Sequence, residues 1–455
     1  MNSGTFASVR ELAFRILVKS ANSEAYIEDQ VQESGTGLDS RDFARLRYLV
    51  TTVVRRKLTL ETVLRHFVKR SVEPDLWQLL KLGAAQILFG DADHRHADVN
   101  ETVEVARAIG KSRWCKFLNG VLRNLDRAIL TTTETSSLGR KVYPINSELD
   151  LRALSLDLFT DPDVDFPGYI SEAFSIPRWL VERWDARQNR SEILRMAGWF
   201  LSSPRMCLRV NLHKVSREEL LQQFEKAGFS GRAGNIKTSI LDVNAASPHE
   251  LPGWETGYFS IQDETAQHAA PLLDPQPGEC VLDLCAAPGT KTLHLAELMG
   301  EEGEILATDV SKSRLAKVRE NAKRANIDII RTRCIARDGH DLPEGPFDRI
   351  LIDAPCTNTG VLGKRIDVRW RLTKSDLEEL PALQRELLDR AAVRLRRGGA
   401  ILYSTCSIEP EENERVVESF LQSHPDFSCT HQQTFLPGAP ADGGFQALLV
   451  FSNAL

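Results

Sequence analysis

At 455 residues, with 42% hydrophobic and 26% charged residues, the chain is long enough for roughly two to four domains, each with its own core. No apolar run approaches the ~18 residues of a membrane span, and the start MNSGTFASVRELAFRIL lacks a signal peptide's layout, so a cytoplasmic protein without membrane contact is expected. The net charge of −6 argues against a histone-like polyanion binder, yet residues 1–130 carry 20 Lys+Arg against 16 Asp+Glu (+4) and the remainder 37 against 47 (−10). A nucleic-acid partner would therefore be met by local basic patches.

In chain order, residues 5–130 predict an all-helical bundle. Val9, Leu12, Ala13, Ile16 and Leu17 make one apolar stripe. Phe43, Leu46, Val50, Val53 and Val54 make another, entered through Asp39-Ser40 as a cap. Pro74 suits the first turn of a helix carrying Leu76, Leu79, Leu80, Ile87 and Leu88, and Gly110 reads as a stop. Arg41, Arg45, Arg47 and then Arg55-Arg56-Lys57 concentrate positive charge, which fits either a solvated helix face or an RNA-backbone contact. The phrases LKLGAAQILF, ADVNETVEVARAIG and FLNGVLRNLDR resemble the antitermination factor NusB and its related domains. That resemblance implies an RNA-binding domain over residues 1–140.

From Ala128 to about Asp165 the chain, including the run TTTETSS, reads as irregular with one short helix, and helix resumes over 177–200. Residues 141–200 are thus expected to be a linker and helical connection. CLRVNL (207–212) predicts a strand, SREELLQQFEKAG (216–228) a capped helix, and short strands run to about 260. This outlines a small α/β subdomain over 201–265.

Beyond Glu279 the period becomes strand, loop, helix, repeated. The strands are 279–284, 303–309, 327–334, 348–354 and 399–405. Apolar strands alternating with helices predict a parallel, doubly wound sheet, here a Rossmann-like domain over 266–455. Ligands of such sheets bind beyond the carboxyl ends of the strands.

The polar clusters fall there. VLDLCAAPGTKT (281–292) runs a strand into a small-residue turn and a helix start, where backbone N–H groups are free. With Gly289 alone, after Pro288, it is no G-x-G-x-x-G, which favours a carboxylate or ribose ligand over a phosphate. Asp309 ends the second strand, where it can accept both ribose hydroxyls, and Asp338 follows the third strand and could face an adenine. Singly, each acid is as readily a helix cap or a solvated charge. Three such features at consecutive strand ends form the pattern of an S-adenosylmethionine site.

Eight cysteines (115, 207, 280, 285, 334, 356, 406, 429) show no C-x-x-C pair or His-Cys cluster, so no metal site is expected. Most read as free thiols filling the core. Cys356 in DAPCTNTG and Cys406 in YSTCSIEPEENE differ, because each stands past a buried strand among hydroxyls and turn residues. Methylation of a pyrimidine at C5 needs a thiolate beside such a cofactor. Addition of sulfur at C6 turns the ring into an enamine with an electron-rich C5. Asp353 could hold the cytosine N3 and amino group.

DLCAAPGTKT, DAPCTNTG and YSTCSIEPEENE resemble the three signature motifs of the Sun family of RNA cytosine-C5 methyltransferases. Preceded by a NusB-like domain, the chain is similar over nearly its full length to the branch acting on bacterial small-subunit ribosomal RNA. The resemblance implies Cys406 as nucleophile, Cys356 as the thiol that assists product release, and Asp353 as the base-binding acid. It also implies S-adenosylmethionine as cofactor, contacted by Cys285, Ala286, Ala287, Pro288, Gly289, Lys291, Asp309, Arg314, Asp338 and Asp353, with Lys291 near the reacting site. RVN (209–211) and QD (262–263) match its pre-catalytic elements. A monomer is expected.

Two departures bear on the target. Thr357-Asn358 stands where the family usually has Ser-Gly, and Gly363-Lys364-Arg365-Ile366-Asp367 replaces Arg-Arg-His-Pro-Asp. The loop stays cationic (Lys364, Arg365, Arg369, Arg371) and keeps Trp370, so RNA contact is expected there. Rival readings are another RNA such as tRNA, a DNA cytosine enzyme using Pro355-Cys356, and a non-catalytic RNA-binding factor.

Overall fold

The computed structural model describes residues 8–21, 23, 25–130, 137–203 and 205–452. The first residues of the amphipathic start (1–7) and most of the TTTETSS run (131–136) lie outside the described residues. The chain divides into two compact units, residues 1–203 with 362–371, and residues 204–361 with 372–455.

In the first unit the apolar stripes fold as expected into seven helices: Val9–Ser20, Ile27–Ser34, Ser40–Arg55, Lys57–Phe67, Pro74–Phe89, Arg95–Ala108 and Cys115–Ala128. Asp39 caps the third by accepting from the Asp42 N–H, and Pro74 opens the fifth. Leu12, Ile16, Leu46, Val50, Leu79, Leu80 and Leu122 are buried. The segment read as a linker contains a short hairpin, β1 (Val142–Pro144) and β2 (Leu151–Ala153). Helices Phe166–Phe174, Arg178–Asp185 and Arg190–Leu201 complete the main chain segment of this unit.

The basic patch is corrected by this packing. Arg55 and Arg56 are buried, not presented to a partner. Arg56 donates to the Pro144 and Ile145 carbonyls and lies 4.5 Å over the Phe89 ring. Burial pushes the Arg55 guanidinium down to about 10. Arg41, Arg45 and Arg47 stay exposed, and the last two pair with Asp98 and Glu28.

The cationic loop is corrected in part, at Arg369, while Arg365 and Arg371 stay exposed. Within residues 362–371, Arg369 is fully buried and donates to the carbonyls of Ser175 (3.0 Å), Phe200 (3.4 Å) and Leu362 (2.7 Å). Trp370 donates to the Val54 carbonyl and carries Lys57 over its ring, and Arg371 bonds Ala25 O and Asp367. A guanidinium offers five donors in a fixed fork, so Arg369, which looks like a polyanion contact in sequence, serves here to tie backbone carbonyls together.

The second unit opens with a four-stranded antiparallel sheet. Its strands are β3 (Met206–Val210), β4 (Arg232–Ala233), β5 (Ser239–Val243) and β6 (Phe259–Ile261), in the order β4-β5-β3-β6. Helix Arg217–Lys226, entered through a full capping box at Ser216, packs Leu220 and Phe224 on its apolar face against Leu208, Ile240 and Phe259. Arg209 of the RVN element is buried, pairs with Glu297 and donates to Gln262. That residue is therefore a buried tie between the small sheet and the helix Thr290–Leu298.

The large sheet has seven strands: β7 (Cys280–Asp283), β8 (Glu304–Asp309), β9 (Ile330–Cys334), β10 (Phe347–Asp353), β11 (Leu395–Thr405), β12 (Phe427–Phe435) and β13 (Gly444–Phe451). Their order is β12-β13-β11-β10-β7-β8-β9. The five strands expected from sequence are parallel, while β13 and β12 add an antiparallel edge that was not foreseen. Alternate strand residues feed two cores. Leu282, Ile350, Ile352 and Ile401 pack with Leu388 and Phe420, and Val281, Leu351 and Leu402 with Leu293 and Ala322. The chain runs outward from β7 through β8 and β9, then returns to β10 on the other side. The order thus reverses between β7 and β10, where a crevice opens past the strand ends.

Candidate active site

β7 ends at Asp283, and Leu284 N extends the ladder to the Leu351 carbonyl before Cys285-Ala286-Ala287-Pro288 turns the chain. Gly289 then sits at φ +99°, and a Cβ there would stand 3.0 Å from Val318, so only glycine suits this approach between helices. Helix Thr290–Leu298 starts immediately after, with its first N–H groups facing the crevice end of the sheet. The Cys285 thiol packs against the core, and burial raises its pKa. Lys291, in the helix's first turn, forms an ion pair with Asp353 at the end of β10.

Asp309 ends β8, is buried, and accepts from Ser311 N at 2.8 Å with Arg314 3.4 Å away. Arg314 also donates to the Ala287 carbonyl at 2.6 Å, joining the β7 turn to the β8 end. Asp338 is placed differently. It is 73% exposed, bonded to His340 at 2.7 Å, and shares no hydrogen bond with the other candidates. Sequence reasoning missed Asp283. It is buried, takes a 2.7 Å bond from Thr292 on one oxygen, and has no partner for the other among the described residues. Burial pushes its pKa up to about 7, with Asp353 and Asp309 adding repulsion.

These residues fit S-adenosylmethionine. Three carboxylates (Asp283, Asp309, Asp353) gather at neighbouring strand ends against Lys291 and Arg314, which suits a ligand carrying a positive sulfonium and ribose hydroxyls. The Asp283 oxygen leaves a buried polar atom without a protein partner at the end of β7 among the described residues. Among the described residues no cluster of His, Cys, Asp and Glu could hold a metal, and no helix is long and apolar enough to cross a membrane.

The two thiols converge. Cys356 lies three residues past Asp353 and Cys406 one past β11, and their sulfurs are 3.3 Å apart. β10 and β11 are neighbours in register, with Asp353 opposite Ser404. Ala354 extends the ladder to Ser404 O, and Pro355, without an N–H, ends it. Gly360 N then bonds the Cys406 carbonyl, and a Cβ at Gly360 would stand 2.5 Å from the Gly443 carbonyl. The Cys356 thiol is pushed well up, first by its hydrogen bond to Cys406, then by burial and the charge of Glu412.

Behind both thiols sits Glu412, fully buried. It accepts from Thr357 N at 2.8 Å, Gln384 Nε2 at 3.1 Å, and the Thr357 and Ser407 hydroxyls. Gln384 also donates to Pro355 O, and Tyr403 donates to the Glu412 carbonyl. One carboxylate thus binds the residue after Cys356 and the residue after Cys406. Its pKa is raised by burial, because neutral donors alone surround it. The hydroxyls and the Glu-Asn pair of YSTCSIEPEENE are the parts of this network, with Asn413 bonding Thr405 and Ser407 O.

Comparisons with known proteins agree along the chain. Residues 270–447 match the family model of the 16S rRNA methyltransferase RsmB/F, residues 7–127 the NusB family, and residues 176–248 the ferredoxin-like domain of RsmF/B-like methyltransferases. The probable ribosomal RNA small subunit methyltransferase B of Synechocystis sp. is 33% identical, covering 92% of this chain and 90% of the relative. The ribosomal RNA small subunit methyltransferase B of Citrobacter koseri is also 33% identical, over 93% of this chain and 96% of its own. Among solved structures, PH0851 shares the fold with a TM-score of 0.75 at 24% identity, covering 97% of this chain and 98% of its own. A methyltransferase homologue from Pyrococcus horikoshii covers 62% of this chain and 97% of its own, with a TM-score of 0.54 and 29% identity.

Proposed function

The chain belongs to the RsmB/F family of S-adenosylmethionine-dependent rRNA methyltransferases, and from that membership we propose that it methylates C5 of a cytosine in small-subunit ribosomal RNA through a Cys406–C6 adduct. The observation that carries this reading is the pair of sulfurs 3.3 Å apart at the ends of β10 and β11, beside the Lys291–Asp353 ion pair.

S-adenosylmethionine, when bound by the β7 turn and Asp309, supplies an electrophilic methyl group. The protein's task is to make C5 nucleophilic. The Cys406 thiolate adds to C6, forming a C–S bond and moving the ring electrons toward C5 and N3. Asp353 accepts from the cytosine amino group, and its Lys291 partner offsets the charge that builds at N3 as the adduct forms. After methylation, loss of the C5 proton lets the C–S bond break and Cys406 leave as thiolate. Cys356, in contact with that sulfur and ionised at this step, takes the C5 proton, and the negative charge leaves with Cys406.

Because addition and release need different thiols, the two alanine variants separate them. Cys406→Ala is expected to give background methylation and no crosslink to unmethylated 16S rRNA. Cys356→Ala is expected to accumulate a denaturation-resistant RNA complex carrying label from S-adenosylmethionine. A DNA-type enzyme would give the reverse pattern on DNA, and a binding factor would give no adduct at all. Trapping by Cys406→Ala would overturn the assignment of roles.

A further inference from the structure

The departure Thr357-Asn358 places a carboxamide on the nucleophile. Asn358 adopts φ +59°, a left-handed conformation that asparagine tolerates better than most residues. Its Nδ2 donates to the Cys356 carbonyl at 2.7 Å, and the Cys406 sulfur lies 3.2 Å from its Oδ1. A carbonyl can only accept, so it fixes the amide with the NH₂ toward Cys356 and the oxygen toward Cys406.

Proton bookkeeping then orders the whole group. Oδ1 also only accepts, so the Cys406 proton points at Asn358. The 3.3 Å contact between the sulfurs must be bridged by the other proton, which makes Cys356 the donor and Cys406 the acceptor. We propose that Asn358 is a latch on the nucleophile: its carboxamide oxygen holds Cys406 in the S–H form in the free enzyme and sets the direction Cys356 to Cys406 to Asn358. This rests on Cys406 being the nucleophile. Ionisation of Cys406 would leave a thiolate facing an oxygen lone pair, so the amide in this position favours the S–H form.

The titratable groups around the pair are Cys356 itself, Glu412 behind it, Tyr403 on β11, and the Asp353–Lys291 pair at the β10 end. None of these side chains is itself replaced by substitution at 358; the glycine variant loses the amide's bonds to the Cys356 carbonyl and the Cys406 sulfur together, so a changed profile reports the amide. Glycine accepts φ +59° freely, so Asn358→Gly keeps the turn while removing the acceptor. Asn358→Asp replaces it with a charged one.

The test follows iodoacetamide alkylation of Cys406 in the full chain across pH by peptide mass spectrometry, with methylation of unmethylated 16S rRNA measured in parallel. In this reaction the thiolate displaces iodide, so its rate follows ionisation. Asn358→Gly should move the Cys406 midpoint down by about half to one pH unit, speeding alkylation about three- to tenfold near neutrality, the effect of one ordinary hydrogen bond. Asn358→Asp should move it up. A glycine variant whose profile superimposes on the wild type, or shifts upward, overturns the latch. Failure of the methylation reading looks different: no 5-methylcytosine forms, whatever the alkylation profile.

Discussion

Lys291 and Asp353 form an ion pair although they arrive from different strands, Lys291 from the helix after β7 and Asp353 from the end of β10. The pair bridges the point where the strand order reverses. Lys291 is largely covered and Asp353 remains about two-fifths exposed, so the carboxylate is the member a substrate can reach.

That exposure gives the first prediction. Asp353→Asn keeps the shape but loses the charge paired to Lys291 and the carboxylate that holds the cytosine amino group. Methyl transfer to 16S rRNA should fall about 100-fold or more, the scale of removing one acid–base group. Binding of S-adenosylmethionine, followed by titration calorimetry, should change far less, since Asp309 and the β7 turn remain. Wild-type turnover in this variant would remove Asp353 from the chemistry.

A second prediction concerns pH. Asp283 is buried and holds its proton up to about 7, against 3.8 for an ordinary aspartate. Below about pH 4 it is protonated whether the chain is folded or not, and its contribution is intact. As pH rises toward about 7 the unfolded chain ionises freely while the folded one resists, so stability is progressively lost. The loss is on the order of 4 kcal/mol at most. Asn cannot ionise, so Asp283→Asn should raise the thermal midpoint of the cofactor-free protein at pH 8 and leave it nearly unchanged at pH 4. Glu412, also pushed up by burial, titrates in the same direction in both proteins and cancels in the difference. Parallel pH curves for the two proteins would contradict the buried, half-partnered state of Asp283.

Much of this site is legible in the sequence because strand ends announce themselves. An apolar run followed by Asp, Cys or Gly fixes where β7, β8, β10 and β11 stop, and chemistry in a parallel sheet collects there. The antiparallel edge escaped because β12, SCTHQQTF after Phe427, is largely exposed and polar, so it shows no run of buried apolar residues. The hairpin at 142–153 escaped because three-residue strands carry too little periodicity. Glu412 escaped for another reason. An acid among acids reads as solvated, and only the fold reveals that hydroxyls from two separate loops close around it. Arg55, Arg56 and Arg369 invert the same rule, since charge in a sequence does not say whether its donors meet phosphate or carbonyl oxygen.

Arg369 supplies the last prediction. Its guanidinium is buried, carries no carboxylate among its hydrogen-bond partners, and remains cationic at neutral pH although burial lowers its pKa to about 9. Its role is therefore to satisfy the carbonyls of Ser175, Phe200 and Leu362. Arg369→Met fills similar space and leaves all three without that donor, so it should cost about 3 kcal/mol or more, read as a lowered thermal midpoint. An exposed arginine on RNA would behave otherwise. Its loss would leave the midpoint in place and flatten the dependence of RNA affinity on salt by about one ion. Measured on folded protein below its transition, the Met variant should keep the wild-type salt slope. A normal midpoint with a reduced slope would put Arg369 on the RNA, against its burial among carbonyls.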